Sequence, residues 1–404
     1  MKLLHTSDWH LGQTLYGRKR HEEFERLLQW LVALIDERHI DALLVAGDVF
    51  DTTVPGYEVQ KLYYRFLSQL ARSSCRHVII TAGNHDSPTF LEAPRELLRG
   101  LDVHVIGSIT DRLDDEVLVL RDRSGQVEAV VCAVPFLRDR DVRTVEAGET
   151  AEQKQHKLMT GIRDHYQAVC QYAEAKRHER QIPLIVMGHL LAAGGQTYDG
   201  DGVRELYIGS LVQLPATLFP DAIDYLALGH LHLPQRVGGS ETRRYSGAPL
   251  AMGLGESQRE KQVVLVQFSG RAAQVSTLSV PCFQDLEQVR GDWDDIVVRL
   301  EQLRAEQSSA WLEVIYEGNS LMPDLRDRLQ QILAGSDLLL LRTRNHRLFT
   351  AMGWDEQQTL DELSHREVFL RCLDRYQIPD EQRPDLLAAY DEISLTDAHS
   401  PAAL

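Results

Sequence analysis

The 404-residue sequence has no stretch approaching the ~20 uninterrupted apolar residues of a membrane span, which excludes a transmembrane-helix protein. Cysteine is scarce. Cys75, Cys132, Cys170, Cys282 and Cys372 stand at least 38 positions apart, so neither a CxxC zinc knuckle nor a disulfide framework can be drawn, and they read as reduced, mostly buried thiols. The phosphate-cradling pattern GxxxxGK[ST] is missing, so any ATP dependence must come from another polypeptide. Positive charge is in deficit, 43 basic residues against 60 acidic, a net of −17. A uniformly charged surface of that sign would repel nucleic acid. The deficit is uneven, however: residues 281–404 hold 24 acidic and 12 basic side chains, leaving the first 280 residues closer to balance. A local basic groove or bound cations there would still attract phosphate. The residues ahead of Asp8 leave no room for the apolar core of a secretory signal, so cytoplasm is the expected address.

Hydrophobic residues at 43% and charged residues at 25% are ordinary for a globular protein. The length predicts one large domain with smaller ones appended. Residues 1–280 repeat one pattern, a short β-branched run, a polar or glycine-containing tip and an amphipathic helix. Leu3–His5 leads to Asp8, Ala42–Ala46 to Gly47 and Asp48, and His77–Ala82 to Gly83, Asn84 and His85. Leu184–Met187 leads to Gly188 and His189, and Tyr225–Leu228 to Gly229, His230 and His232. Runs of this kind are strands buried on both faces, and open α/β sheets gather their sites at such tips. Residues 281–348 predict a small α/β module, and 349–404 two short amphipathic helices, at 359–376 and 384–395, with a tail.

Seven side chains at the tips carry chemistry: Asp8, His10, Asp48, Asn84, His189, His230 and His232. Carboxylates, imidazoles and one amide oxygen form a mixed oxygen and nitrogen donor set, which suits manganese, iron or zinc better than magnesium. In Asp8-x-His10 and His230-x-His232 the two-residue spacing puts both side chains on one side of an extended segment. An isolated His-x-His is more often a surface pair than a ligand pair, and a single glycine-polar tip is more often an ordinary turn. Five such tips in one chain are not the product of ordinary turns.

The order DxH, GDxxD at 47–51, GNHD at 83–86, GH at 188–189 and GHxH at 229–232 resembles that of the calcineurin-like metallophosphoesterases. The segments HTSDWHLG, AGDVFD and AGNHDS are similar to one branch of that family, the nucleases of double-strand-break repair. The resemblance runs over nearly the whole chain and is most specific in the first 250 residues. It implies a β-sandwich with flanking helices, an α/β fold, followed by a capping domain at 281–348 and a partner-binding C-terminal helical pair at 349–404. Two divalent metal ions, manganese by expectation, are implied. One would be held by Asp8, His10, Asp48 and His232, and the other by Asp48, Asn84, His189 and His230, with Asp48 shared. His85 matches the family's catalytic histidine, and Asp86 beside it is expected to orient His85 or to cap the next helix. Asp51 stands where some relatives carry a histidine, which leaves a second catalytic histidine at this tip in doubt.

The implied activity is hydrolysis of DNA phosphodiesters, as exonuclease and endonuclease on double-strand ends and hairpins, with a coiled-coil ATPase as partner. A homodimer is expected through helices near 56–70 and 89–99, where Tyr57, Leu62, Tyr63, Phe66 and Leu67 present more apolar surface than one sheet face needs. Arg18, Lys19 and Arg20, and farther on Arg342, Arg344 and Arg347, are candidate phosphate contacts. The rivals are a phosphomonoesterase or cyclic-nucleotide phosphodiesterase on the same fold, and a scaffold without catalysis.

Overall fold

The computed structural model describes residues 1–192 except 145, 147 and 179; residues 215–345 except 258, 319, 321 and 323; and 370, 373, 379, 383, 384, 386 and 387. Most of the expected C-terminal helical pair, and Arg347, therefore lie outside the described residues. The chain divides into two units, Met1–Glu287 and Gln288–Leu404.

The first unit is built on two six-stranded sheets. In one, Lys2–Thr6, Ala42–Ala46, His77–Thr81 and Val103–Ile106 run parallel, and Gln262–Ser269 and Ala272–Ser279 add an antiparallel edge. In the other, Val127–Ala133, Leu184–His189, Tyr225–Gly229 and Arg243–Tyr245 run parallel between the short strand Gln235–Arg236 and Val117–Arg121. Alternation along each strand supplies both faces. Leu3, Leu44 and Ile79 meet Val131, Ile185 and Ala227 in the layer between the sheets. Their neighbours Leu4, Leu43 and Ile80 face outward, with the helices His21–Arg38 and Tyr57–Leu70 supplying the rest of that layer. The helix Ala151–Arg177 contributes to the outer core of the second sheet through Leu158, Ile162, Tyr166, Val169 and Ala173. Strands covered on both sides are the continuous apolar runs seen in the sequence.

Among the described residues no helix is long and apolar enough to cross a membrane. Leu62, Tyr63, Phe66 and Leu67 are buried within their own unit, so the apolar surplus expected of this helix shrinks to Tyr57, which is 74% exposed. The 3.6-residue stripe that suggested a second covering partner is consumed by the chain's own sheet.

The second unit places Trp311–Tyr316 between Leu286–Gly291, which begins at the boundary, and Leu339–Asn345, with the helices Trp293–Ala305 and Leu325–Leu333. Its core is Ile296, Leu300, Leu312, Val314, Tyr316 and Leu329. Arg344 lies 3.1 Å and Arg342 3.7 Å from the carboxylate of buried Glu313, so both guanidinium groups already face a countercharge.

Candidate metal centre

The parallel strands Lys2–Thr6, Ala42–Ala46, His77–Thr81, Leu184–His189 and Tyr225–Gly229 all deliver their C-terminal ends to one place, and every residue of the seven is at or just past such an end. Close approach of the tips explains the glycines. A Cβ on Gly229 would overlap the Ala46 carbonyl, and one on Gly47, whose φ is +83°, would overlap the His189 ring. The ligand candidates themselves carry backbone strain: Asp8 (φ 52°), His10 (46°), Asp48 (51°) and His230 (106°) lie where side chains with a Cβ are rare. Such outliers persist where surrounding structure over-determines them, and they cluster at functional sites.

The structure brings the seven together. His10 Nε2 lies 3.1 Å from His232 Nε2 and 3.6 Å from Asp48 Oδ2. Asp48 Oδ2 is 3.2 Å from His189 Nε2, which is in turn 3.0 Å from Asn84 Oδ1, and that oxygen is 3.1 Å from His230 Nδ1. Asp48 thus stands between two groups of donors. Ligand atoms of Asp8, His10 and His232, and of Asp8, Asp48 and His189, lie within 4.8 Å of one another. Apart from half-buried Asn84, the set is almost fully buried.

The donor chemistry fits a cation. His189 Nδ1 is 3.0 Å from the Ala46 carbonyl, which can only accept, so Nδ1 carries the hydrogen and a neutral ring offers a lone pair at Nε2. That lone pair then faces the Asn84 and Asp48 oxygens. Three acceptors converging in a dry site repel unless a positive charge sits among them. In the metal-free chain a proton is that charge: burial lowers the His189 pKa, but facing Asp48 overrides this and holds it up at about 9. Burial likewise raises the Asp48 pKa, yet His189 and His10 keep it well below the carboxylate range. His230 is pushed down to about 3 by burial and by His189, so its ring is neutral and available as a donor. Asp8, raised to about 6 chiefly by burial, accepts from Ser7 Oγ at 2.5 Å and from the His230 backbone N–H at 2.9 Å.

His85 is held by two bonds. Its backbone N–H donates to Asp48 Oδ1 at 2.9 Å, and its ring Nδ1 is 3.0 Å from the Asp51 carbonyl, while the ring meets His10 edge to face at 4.7 Å. Asp86 departs from expectation. Its carboxylate neither touches the His85 ring nitrogens nor caps a helix, because Ser87 caps Pro88–Glu92. Instead it accepts the backbone N–H groups of Val49, Phe50 and Gly83, at 3.1, 2.9 and 2.8 Å, and so clamps the GNHD turn to the GDVFD turn. Each buried donor left unsatisfied costs about 1–3 kcal/mol. Asp86→Ala is therefore expected to lower stability by roughly 3 kcal/mol or more on the same principle. Denaturant unfolding of the full chain at the wild-type midpoint would refute the clamp.

Sequence reasoning missed Ser246, whose hydroxyl lies 2.8 Å from Ser7 Oγ and so backs the Asp8 carboxylate. It also missed Phe136 and Arg138. The Phe136 ring meets His189 at 6.2 Å, and Arg138 reaches the Asp86 carbonyl at 3.4 Å. The tyrosine-serine-glycine turn at 245–247, which ends a strand beside the other tips, was the one available signal for Ser246. Arg18 and Lys19 lie in a small exposed hairpin, whereas Arg20 is buried in an ion pair with Glu23 at 2.7 Å and is not a surface cation.

Residues 1–234 match the family model of the calcineurin-like phosphoesterases. Residues 282–377 match one described as the type 5 capsule protein repressor C-terminal domain. The chain is 37% identical to SbcD, a subunit of the nuclease SbcCD, of Escherichia coli (strain K12) over 393 residues, 96% of each chain. It is 40% identical to the Rhodobacter capsulatus protein of the same name over 279 residues, 68% of each. The Bacillus subtilis protein of that name is 34% identical over 271 residues, 66% of each. A crystal structure of a dimetal phosphatase from Danio rerio superposes with a TM-score of 0.37 at 13% identity, covering 70% of this chain and 99% of the other.

Proposed function

Since the chain belongs to the calcineurin-like phosphoesterase family, among the SbcD nucleases, we propose that it hydrolyses DNA phosphodiesters at a centre for two divalent cations held by the seven tip residues. The observation that carries this reading is the convergence of the His189, Asn84 and Asp48 acceptors, mirrored by the facing Nε2 atoms of His10 and His232. Asp8, His10, Asp48 and His232 would hold one cation; Asp48, Asn84, His189 and His230 the other. The mixed nitrogen and oxygen set favours Mn2+ over Mg2+. When bound, such a pair supplies a lowered water pKa and neutralises charge on the phosphate oxygens.

The chain's own residues do the rest. Asp48, ionised and central, fixes the spacing of the two donor groups. His85, anchored at Nδ1 by a carbonyl, has Nε2 left to stabilise charge on, or deliver a proton to, the leaving oxygen. With no phosphate-cradling loop of its own, the chain would take its ATP dependence from an SbcC-like coiled-coil ATPase. Residues 349–404 are the proposed docking segment for that partner and 281–348 the proposed cap over the DNA, with a homodimer through the helices near 56–70 and 89–99, where exposed Tyr57 and Leu97 are the apolar side chains left uncovered.

One assay tests this: cleavage of linear, hairpin and circular DNA and of a small aryl phosphate, across divalent metals, with and without the ATPase. The full chain is expected to cut single strands and hairpins with Mn2+, and duplex ends only with the ATPase and ATP. A chain lacking 349–404 is expected to keep the first activity and lose the second. Preference for the aryl phosphate over every DNA would favour the phosphomonoesterase reading and overturn this one.

A further inference from the structure

Asp51 lies at the end of the GDVFD tip, and two imidazoles of different expected roles meet it. Segments 8–11 and 47–51 run side by side, through Asp8 N to Gly47 O, His10 N to Asp48 O, Leu11 N to Val49 O and Asp51 N to Leu11 O, at 3.0, 3.0, 2.9 and 3.2 Å. Leu11 and Phe50 form a parallel bridge in the same register. This pairing sets the Asp51 side chain beside the His10 ring, with Oδ1 3.5 Å from Nδ1. That nitrogen is buried and makes no hydrogen bond, so the Asp51 carboxylate faces it at an ion-pair distance, 3.5 Å, longer than a usual hydrogen bond. The same residue's backbone carbonyl is 3.0 Å from His85 Nδ1.

We propose that Asp51 is the positioning residue for both histidines: its carboxylate holds the hydrogen of His10 on Nδ1, and its carbonyl holds that of His85 on Nδ1. The His10 Nε2 lone pair is then presented toward Asp48 and His232, the side on which the proposed function places a cation, and the inference rests on that reading. A carboxylate behind a metal-binding imidazole orients the ring and raises its basicity, and losing such a partner typically costs 10–100-fold in metal affinity. The two contacts are separable, because substitution of the side chain leaves the carbonyl in place.

The rival is a third cation site, since ligand atoms of His10, Asp51 and His85 also lie within 4.8 Å of one another. Against it, one imidazole cannot offer both nitrogens as donors without giving up its remaining hydrogen.

The test is calorimetric titration of the metal-free full chain with Mn2+, together with nitrogen-15 NMR of its histidines before metal is added. In the wild type, His10 and His85 are expected as Nδ1–H tautomers. Asp51→Ala is expected to weaken one Mn2+ site about 10–100-fold, leave the other unchanged and shift His10 alone toward Nε2–H. Asp51→Asn, whose amide oxygen still accepts from Nδ1, should lose less. Unchanged affinity in Asp51→Ala, an Nε2–H tautomer of His10 in the wild type, or a third Mn2+ equivalent removed by Asp51→Ala would each overturn the assignment. A wild type that binds no Mn2+ defeats the proposed function, and the NMR tautomers still decide the role of Asp51.

Discussion

Replacing Asp48 with Asn is expected to remove hydrolysis and to weaken both cation sites together. Asp48 is the only one of the seven candidates assigned to both groups of donors, and its Oδ2 faces His189 at 3.2 Å and His10 at 3.6 Å. Asparagine keeps the shape and one oxygen but loses the charge. The imidazoles gathered around position 48 then lose the anion that faces His189 and His10 from between the two donor groups, and each cation loses its shared counter-ion. Removing a single preorganised electrostatic group from an active site costs about 10²–10³ in kcat, and a group serving two cations should cost at least that. Metal content after dialysis, measured beside the rate, checks the assignment. Two cations retained at wild-type affinity would show that Asp48 does not bridge.

His85→Gln is expected to separate chemistry from coordination. The backbone N–H that binds Asp48 Oδ1 survives the change, and the seven candidate ligands are untouched, so both cations should remain. The imidazole that handles charge at the leaving oxygen is gone, and general acid–base groups contribute about 10²–10⁴ in rate. The loss should appear in kcat with KM for DNA little altered, because the interaction is made in the transition state. Joint loss of metal would make His85 a ligand.

The two variants probe residues that were legible for different reasons. Asp48 and His85 each follow a buried β-run and a glycine, and the glycines stand where tips approach too closely for a Cβ. A tip of this kind is a local feature, readable from one window of sequence. Asp86, four positions from the end of the same run His77–Ala82, was visible as a residue and misread in its role. Its partners at 49 and 50 belong to another tip, and nothing local reveals them. The helix Tyr57–Leu70 was misread in the opposite direction. Its apolar stripe is real, but the amount of sheet available to cover it depends on strands that are distant in sequence.

Residue type and spacing alone therefore determined the buried β-runs of an α/β chain, the order of the tips and the donor set, because strand period, turn chemistry and ligand preference all act over a few residues, whereas the fold family followed from the resemblance of the tip motifs to a known family. Tertiary structure alone decided which atom of each donor faces which. His189 is turned by a carbonyl 143 positions away, His10 meets His232 across 222, and Ser7 meets Ser246 across 239. Hydrogen bonds are directional, and the direction of a ring nitrogen or a carboxylate oxygen is set by whatever the folded chain brings opposite it. The sequence names the groups, but only the packed sheets bring acceptors close enough for their mutual repulsion to call for a positive charge, a proton or a metal ion, among them.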